Sequence, residues 1–408
     1  MYDVITVGGG AAGMMSAIAA AENGTKVLLI EKNDRMGKKL AITGKGRCNV
    51  TNNCDLSTIM ENIPNNGRFL YSALSQYLPG DTMAFFESMG VPLKTERGQR
   101  VFPVSDKAAD IVNALTKRLE QLNIETVREN ARSLIIENGV CRGVNTYNRQ
   151  FQAGSVILAT GGKSYPKTGS DGHGYRLAEQ AGHSIITPRP SLSAMVTEEK
   201  WVRKVSGLTL KNTAVKLLDN GKAIYDDFGE LMFTADGIGG ATILSASAHI
   251  PEMEPGRYTV AADLKPALTE KQLDARILRD FAELHSGTFE QGLRKLLPKD
   301  MVDPVSGLIG IPLDKKIGEI NKIERKSLVN TLKFLSFKIK DLRPIDEAIV
   351  TRGGVCVKEI SPKTLESKLC KGLYFAGEII DADAYTGGFN LQIAFATGRL
   401  AGTSAANS

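Results

Sequence analysis

The stretch that decides the fold is residues 2–31, which read YDVITVGGGAAGMMSAIAAAENGTKVLLIE. Tyr2 to Val7 is a short apolar run rich in β-branched residues, and it predicts a strand. The glycine turn and the Ala- and Met-rich segment to about Asn23 predict a helix, which Gly24 can end. Lys26 to Ile30 then predicts a second, buried strand. The chain therefore begins with a predicted strand, glycine turn, helix and strand.

The glycines of this turn have the spacing of a dinucleotide-binding fingerprint. They stand at Gly8, Gly10 and Gly13, which is GxGxxG between a strand and a helix. Gly8 permits the tight turn, Gly10 lets the backbone approach a pyrophosphate, and Gly13 lets helix and strand pack closely. The first helical turn, which includes Ala12, offers free N–H groups to the phosphates. The motif by itself fits FAD and NAD equally.

An acidic residue completes the fingerprint. Glu31 ends the second predicted strand about twenty residues after the last glycine. Its carboxylate can accept hydrogen bonds from a ribose diol and would repel a 2′-phosphate. Lys32, beside it, is a further candidate nucleotide ligand. The first site is therefore predicted to bind an adenosine that carries no 2′-phosphate.

A glycine-rich, basic loop follows at residues 36–52, MGKKLAITGKGRCNVTN, and its lack of apolar periodicity predicts a ligand loop. The motif GKKLAITGKGRCNVTN resembles the HI0933-like family of FAD-binding flavoproteins, also described as BaiN-like or aminoacetone-oxidase-like. In that family the loop runs along the FAD pyrophosphate and the flavin. The resemblance implies this role for Lys38, Lys39, Gly44, Gly46, Arg47, Cys48 and Asn49.

Two further stretches extend the resemblance, residues 156–174 (VILATGGKSYPKTGSDGHG) and 372–398 (GLYFAGEIIDADAYTGGFNLQIAFATG). They imply that the chain returns to the FAD site at Thr160 and Gly161, and again at Gly377 and Glu378. The family fold also implies a backbone contact from Val127 to the adenine. Backbone N–H groups at a helix start are expected to face the pyrimidine edge of the flavin, at Gly388, Phe389, Asn390 and Leu391.

These patterns predict an α/β, Rossmann-like FAD fold of the two-dinucleotide-binding-domain type, interrupted by an insertion. The FAD-binding domain is predicted at residues 1–190 and 345–408. Residues 191–344 form the predicted inserted substrate domain, a β unit followed by helices, because short alternating runs give way to helical spacing. The resemblance implies the same insertion, with the flavin in a cleft between the two domains.

Composition limits the classes of partner. The net charge of +6 over 408 residues comes from scattered Lys and Arg, so nucleic acid is not an expected partner. The five cysteines form no CxxC pair or His/Cys cluster, which predicts no metal and favours a reduced, cytoplasmic location. Glycines interrupt the apolar stretch near the N-terminus, so neither a signal peptide nor a membrane span is predicted. The oligomeric state stays open.

The resemblance implies an FAD-dependent reductase. Its expected substrate is an alkene conjugated to a carbonyl, such as a 3-oxo bile acid or steroid enone, with NADH or NADPH as electron donor. Residues 237–241, GIGGA, lack the third glycine of a second fingerprint, so the nicotinamide is expected to dock only transiently. His173 is a candidate proton donor. Ala235 and Phe389 stand where relatives often carry His and Tyr, so substrate identity does not follow from the resemblance.

Three alternative functions remain open on the sequence. One is an oxidase of small amines such as aminoacetone, which passes electrons to oxygen and forms hydrogen peroxide. Another is a disulfide reductase that uses Cys48 and Cys54, although five residues separate them where the glutathione-reductase-like enzymes have four. The third is a non-enzymatic redox sensor with a bound flavin. Multiple turnover distinguishes an enzyme from such a sensor.

Overall fold

The computed structural model describes all 408 residues. The strands, in chain order, are β1 Tyr2–Val7, β2 Val27–Glu31, β3 Thr51–Asn52, β4 Leu93–Glu96, β5 Arg100–Pro103, β6 Glu125–Arg128, β7 Ala131–Glu137, β8 Val140–Thr146, β9 Gln150–Leu158, β10 Ile185–Ser191, β11 Met195–Thr197, β12 Thr209–Asp219, β13 Lys222–Phe233, β14 Gly237–Gly239, β15 Tyr258–Asp263, β16 Leu335–Leu342, β17 Val350–Val355 and β18 Leu373–Phe375. The helices are α1 Ala11–Glu22, α2 Lys38–Ile42, α3 Leu56–Glu61, α4 Gly67–Gln76, α5 Pro79–Ser88, α6 Ala108–Gln121, α7 His173–Gln180, α8 Ala241–Ser247, α9 Glu270–Ala282, α10 Phe289–Leu296, α11 Val302–Ile309, α12 Lys322–Lys333 and α13 Phe389–Ala406.

The chain divides into two compact units. The first consists of Met1–Ser191 together with Pro344–Ser408, and the second is Leu192–Arg343. The first unit is thus assembled from both ends of the chain. Among the helices, none combines the length and the apolar character that crossing a bilayer requires.

A central sheet organises the first unit. Its strand order is β6-β2-β1-β9-β8-β7, and β18 is added beside β9. β6, β2, β1, β9 and β18 pair in parallel, whereas β7, β8 and the start of β9 form an antiparallel meander. All of β2 and residues 4–7 of β1 are buried, as expected for parallel strands covered on both faces. This is the predicted α/β arrangement.

The two ends of the chain meet in a close pair of helices, α1 and α13. A Cβ at Gly398 would lie 2.5 Å from the carbonyl oxygen of Ala12, and one at Gly402 would lie 2.2 Å from that of Ser16. Both distances are shorter than any van der Waals contact, so only glycine fits at these positions. The two helix backbones therefore touch directly, one turn apart along α13.

A buried glutamine fixes the start of α13. Gln392 is 1% exposed, and its Oε1 accepts hydrogen bonds from the hydroxyls of Thr51 at 2.7 Å and Thr82 at 2.8 Å. Its Nε2 donates to the carbonyl oxygen of Tyr77 at 2.8 Å. Since a buried polar group is costly without partners, these bonds hold α13 in one register against β3 and α5.

The second unit is built on a closed barrel of order β11-β14-β13-β12-β15-β16. Asn220 and Gly221 have φ of 47° and 83°, which suits the tight turn of the β12–β13 hairpin. Inside, the Trp201 ring lies 5.6 Å from the ring of Phe233 and 5.8 Å from that of Phe337. The helices α9 to α12 come before β16. The second unit therefore has one more barrel strand after its helices, which the predicted order of a β unit followed by helices does not include.

The close contact of α1 with α13 gives a stability prediction. Gly402→Ala should lower the free energy of unfolding by about 1–3 kcal/mol, because the new methyl group overpacks the helix pair. The measurement is chemical denaturation of purified protein. Gly80→Ala, inside α5 with no atom within 4 Å of its Cβ, is the matched control and should be neutral or slightly stabilising. Equal effects of the two substitutions would contradict the direct helix contact.

Candidate functional site

The three fingerprint glycines serve three different physical needs. Gly8 has a φ of +107°, and its Cβ would lie 2.5 Å from the carbonyl oxygen of Ala159. A Cβ on Gly13 would lie 1.7 Å from the carbonyl oxygen of Gly8, so the first turn of α1 lies directly on the turn that precedes it. At Gly10, by contrast, a Cβ would meet no atom within 4 Å. Gly10 alone therefore faces open space.

That open space lies at the start of α1. Gly10 is the N-cap of the helix and has extended backbone, and no side chain caps the helix there. The first N–H groups of a helix have no partner within the helix and carry partial positive charge. The arrangement is suited to an anion such as a pyrophosphate.

Glu31 lies beside this turn, at the end of β2, and is 8% exposed. Its two carboxylate oxygens accept hydrogen bonds from the backbone N–H groups of Gly9 at 2.6 Å and Asn33 at 2.7 Å. A cavity of about 490 Å³ opens next to it, lined by Glu31, Met36, Val112, Thr126, Val127 and other residues. Its volume is in the range of small-molecule sites. Val127, in β6, lines the same cavity as Glu31.

Lys32 is engaged in a protein contact. Its Nζ lies 2.8 Å from a carboxylate oxygen of Asp171. Beside it, the side-chain amide of Asn33 donates to the carbonyl oxygen of Thr168 at 3.0 Å. These contacts attach the segment after β9 to the end of β2, which is a positioning role for Lys32.

The chain returns to the glycine turn after β9, at Thr160 and Gly161. Gly161 has a φ of +74°, and its Cβ would lie 2.8 Å from Oγ of Ser170. The hydroxyls of Thr160 and Ser170 are buried and have no protein hydrogen-bond partner. Since buried polar atoms normally have partners, these two indicate a site for a polar ligand or water.

The basic loop between β2 and β3 is held in an unusual backbone conformation. Gly44, Lys45, Gly46 and Cys48 all have φ between 57° and 84°. The loop turns back on itself, since the N–H of Arg47 donates to the carbonyl oxygen of Gly44 at 3.2 Å and that of Cys48 to the carbonyl oxygen of Thr43 at 3.0 Å. Asn49, which follows, has a buried side-chain oxygen without a partner.

Arg47 is a partial correction to the sequence prediction. Its guanidinium forms ion pairs with Glu96 at 2.5 Å and Asp106 at 2.6 Å, and it lies 4.2 Å from the centroid of the Phe102 ring. Its charge is therefore engaged within the protein. The loop motif alone suggests that Arg47 is a ligand. It does not show the two acidic partners, because they lie about fifty residues further along the chain.

The two lysines of α2 have different surroundings. The Nζ of Lys38, at the start of α2, lies 2.6 Å from a carboxylate oxygen of Asp34. Lys39 reaches Glu378 at 2.7 Å and the hydroxyl of Ser164 at 2.6 Å. The other oxygen of Glu378 accepts from the backbone N–H of Thr351 at 2.8 Å. Lys39 and Glu378, both predicted ligands, are thus brought together from opposite ends of the chain.

Two cysteines lie close to the loop. Cys48 is fully buried, and burial raises the pKa of its thiol to about 12. Burial, with the nearby charge of Asp55, raises the pKa of Cys54 to about 11. Both are free thiols. A redox cysteine needs a depressed pKa, so this environment argues against a disulfide reductase.

The start of α13 resembles the start of α1. Gly388 is the N-cap, with a φ of 103° and no capping side chain, and its Cβ would lie 2.4 Å from the backbone of Thr51. Phe389 is 5% exposed, so its ring belongs to the core. The side chain of Asn390 is bound to the backbone N–H and carbonyl of Ala384. The backbone N–H groups from Phe389 to Leu391 therefore form a second uncapped helix start.

His173 is not placed for proton transfer. One ring nitrogen contacts the carbonyl oxygen of Ala131 at 2.5 Å, and the other lies 3.1 Å from the guanidinium of Arg176. Its backbone N–H is bound to Asp171 at 3.0 Å. The histidine joins α7 to β7, and we do not retain it as a catalytic candidate.

Sequence reasoning missed a buried acidic residue. Asp383 is 0% exposed and accepts a hydrogen bond from the hydroxyl of Ser191 at 2.6 Å. Its other oxygen has no protein partner. The signal was available, because Glu378, Asp381 and Asp383 are closely spaced acids in an otherwise apolar stretch.

Solved structures of known enzymes share this fold. A flavocytochrome c3 fumarate reductase in its open conformation superposes with a TM-score of 0.54 at 19% identity, covering 100% of this chain and 78% of that chain. The 3-ketosteroid-Δ4-(5α)-dehydrogenase of Rhodococcus jostii superposes with a TM-score of 0.52 at 16% identity, covering 100% and 97%. At these identities the likeness concerns the fold alone, which is the Rossmann-like FAD-binding fold that the sequence predicts.

Two relatives are similar in sequence over nearly the whole chain. The chain is 33% identical to the 3-dehydro-bile acid Δ(4,6)-reductase of Clostridium scindens, with 98% of each chain covered. It is 31% identical to the ribosomal RNA dihydrouridine synthase of Haemophilus influenzae, with 96% of each covered. The family model described as HI0933-like protein Rossmann domain matches residues 2–404. The chain therefore belongs to the HI0933-like family, as its loop and glycine motifs predict.

Proposed function

We propose that the protein is an FAD-dependent oxidoreductase that reduces a C=C bond conjugated to a carbonyl, with NADH or NADPH as the electron donor. One observation carries the proposal. The two relatives have chemically different substrates by name, a 3-oxo bile acid and a uridine in RNA. In both, the bond that is saturated is conjugated to a carbonyl group. We therefore infer for this chain the reaction that the two relatives share, and not the particular substrate of either one.

The residues of the first unit fit an extended FAD. The α1 start at Gly10 would hold the pyrophosphate, and Glu31 would hold the ribose beside the cavity lined by Val127. The buried oxygens of Asn49 and Thr160, which have no protein partner, would then gain one. The start of α13 would face the pyrimidine edge of the flavin. When bound, FAD supplies hydride transfer between a donor and an acceptor.

The protein's own contribution is electrostatic. Free N–H groups at the uncapped start of α13 stabilise negative charge that develops nearby, as the helix dipole does. Lys39 is held by hydrogen bonds to Glu378 and Ser164, so its ammonium has a fixed position and its charge is largely offset by the Glu378 carboxylate. Groups that are already oriented need no rearrangement during the reaction, which makes their stabilisation effective.

We favour a small-molecule enone as the substrate. The motivation is the similarity to the bile-acid reductase over nearly the full chain. A uracil in RNA is the second candidate, favoured by two relatives described as ribosomal RNA dihydrouridine synthases and compatible with the net charge of +6. This reopens a class of partner that the scattered charges had argued against. The amine oxidase and the redox sensor remain as outcomes of the test.

Anaerobic reduction and reoxidation test the proposal. NADH or NADPH should bleach the visible flavin absorbance of the purified protein, and excess 3-oxo-Δ4 or 3-oxo-Δ4,6 steroid should restore it over many turnovers. Restoration by an unmodified ribosomal RNA fragment, but not by any steroid enone, would favour the uracil substrate instead. If only aminoacetone bleaches the flavin, the amine oxidase replaces the reductase. A single reduction that no acceptor reverses would indicate a sensor.

The open space at Gly10 gives a prediction for cofactor binding. Gly10→Val should weaken FAD binding by about tenfold or more, because losing a hydrogen bond to a charged group costs about 1.5–3 kcal/mol. Folding should be unaffected, since φ is −83° and no atom lies within 4 Å of the added Cβ. The measurement is flavin content by absorbance together with the melting temperature of the FAD-free protein.

The matched control for this variant is Gly307→Val. Gly307 lies in α11 of the second unit, and a Cβ there also meets no atom within 4 Å. It should retain the flavin. Full flavin content in Gly10→Val would show that the pyrophosphate does not bind at the start of α1.

The buried thiols give a third prediction. In the folded protein near neutral pH, iodoacetamide should leave Cys48 unmodified, because the thiolate is the reacting form and the pKa of this thiol is about 12. Unfolded protein should be modified at all five cysteines. Mass spectrometry of both samples gives the extent of labelling. Rapid labelling of Cys48 with loss of turnover would restore the disulfide-reductase hypothesis.

A further inference from the structure

The loop between β18 and α13 carries polar side chains that FAD binding does not account for. It contains Asp381, Asp383 and Tyr385, and it ends at Gly387 and Gly388, whose φ values are 126° and 103°. Tyr385 is therefore three residues from the N-cap of α13. This end of the loop therefore lies close to the start of α13, which we assign to the flavin.

Asp383 is the buried acidic residue of this loop. It is completely buried, and its Oδ2 accepts a hydrogen bond from the Ser191 hydroxyl at 2.6 Å. Its Oδ1 is buried as well and has no protein partner. A carboxyl oxygen of this kind needs a proton or a bridging water, since an uncompensated buried charge is strongly unfavourable. Asp383 can therefore hold an exchangeable proton inside the protein.

The groups around Asp383 are polar but do not neutralise it fully. Burial raises the pKa of its carboxyl, and Asp381 adds to this effect. The Ser191 hydroxyl, the Arg352 guanidinium and the Asn65 amide lower it. The balance leaves the pKa above the ordinary value of an aspartate.

Tyr385 follows Asp383 by two residues and is only half-buried. Burial raises the pKa of its phenol, the charge of Asp383 raises it further, and the charge of Arg352 lowers it. The backbone of Tyr385 is fixed by its N–H bond to the carbonyl oxygen of Asn62 at 2.9 Å. The phenol is the member of the cluster that a substrate can reach.

We propose that Tyr385 is the proton donor of the reductase, and that two residues support it: Asp383 returns its proton and Arg352 stabilises its phenolate. The proposal rests on the proposed function and names the acid that this function requires. It differs from the sequence prediction, in which His173 had that role.

The reaction balances with these groups. Saturation adds a hydride to the β-carbon and a proton to the α-carbon; NADH or NADPH is the reductant that supplies the electron pair, and bound FAD would carry it. The O–H bond of Tyr385 breaks as the new C–H bond at the α-carbon forms. The resulting phenolate is stabilised by the Arg352 guanidinium, and a proton from solvent returns to it by way of Asp383.

Tyr385→Phe is the first test, measured in separate anaerobic half-reactions. Flavin content and bleaching by NADH or NADPH should stay within about twofold of the wild type. Reoxidation by the steroid enone should be about 100-fold slower or more, as for the loss of a general acid. Tyr71→Phe is the control, since Tyr71 is 55% exposed on α4, and it should resemble the wild type throughout.

The position of deuterium provides a readout beyond rate. In D2O the wild type should place one deuterium on a single face of the α-carbon, because the donor is fixed. The product that Tyr385→Phe slowly forms should carry deuterium on both faces, because the proton then comes from water. Nuclear magnetic resonance of the product distinguishes the two results.

Asp383→Asn tests the role of Asp383 in returning the proton, and it does so even if Tyr385→Phe fails to fold. An asparagine keeps the shape and can still accept from Ser191, but it does not titrate. In the wild type the rate over many turnovers should fall as the pH rises through the pKa of Asp383, because the ionised carboxylate has no proton to return to Tyr385 between turnovers. This fall in rate with rising pH should be absent in Asp383→Asn.

The outcomes separate the two proposals. If the wild type is not reoxidised by any enone, the proposed function fails and this inference fails with it. If the wild type is reoxidised and Tyr385→Phe matches it in rate and in single-face deuteration, only the inference is overturned. A slow variant with deuterium on both faces supports it.

Discussion

The direct contact between α1 and α13 is the constraint on which the rest of the first unit depends. Gly398 and Gly402 allow the two backbones to touch, and Gly377 lets the end of β18 approach Ala12 in the same way. The first helix follows β1 and the last follows β18, and both strands run parallel in one sheet. Helices that follow parallel strands begin at the same sheet edge. The contact therefore brings two uncapped helix starts to one edge from opposite ends of the chain.

The polar side chains of this unit differ in whether they already have a hydrogen-bond or ion-pair partner within the protein. Lys32, Lys38 and Arg47 have acidic partners, so their charges are largely used within the protein. By contrast, the buried oxygens of Asn49 and Thr160 have none. Since buried polar atoms are seldom left unpaired, the second group is the better guide to where a polar ligand binds. The same reasoning leads to Asp383, which is buried and half unpaired beside the start of α13.

Local patterns were enough to predict the parallel sheet, because a glycine turn between an apolar strand and a helix has few structural alternatives. They were not enough for pairings that depend on distant segments. The Lys39–Glu378 pair joins residues more than 300 positions apart, and the partners of Arg47 lie in another hairpin. The last barrel strand, β16, does alternate between buried and exposed residues, but its pairing with β15 and β11 joins it to strands far back in the chain. The contact of His173 with Ala131 likewise arises only when α7 packs on β7, so the sequence pattern does not show it.

If both ends of the chain build one FAD site, a crystal structure of the yellow, FAD-loaded protein will show it. We expect the pyrophosphate within hydrogen-bonding distance of the backbone N–H groups that follow Gly10, and the pyrimidine edge of the flavin at the N–H groups that follow Gly388. Adenine should occupy the cavity beside Val127. A flavin bound away from the start of α13, or a pyrophosphate away from the start of α1, would show that the two helix starts do not form a shared site.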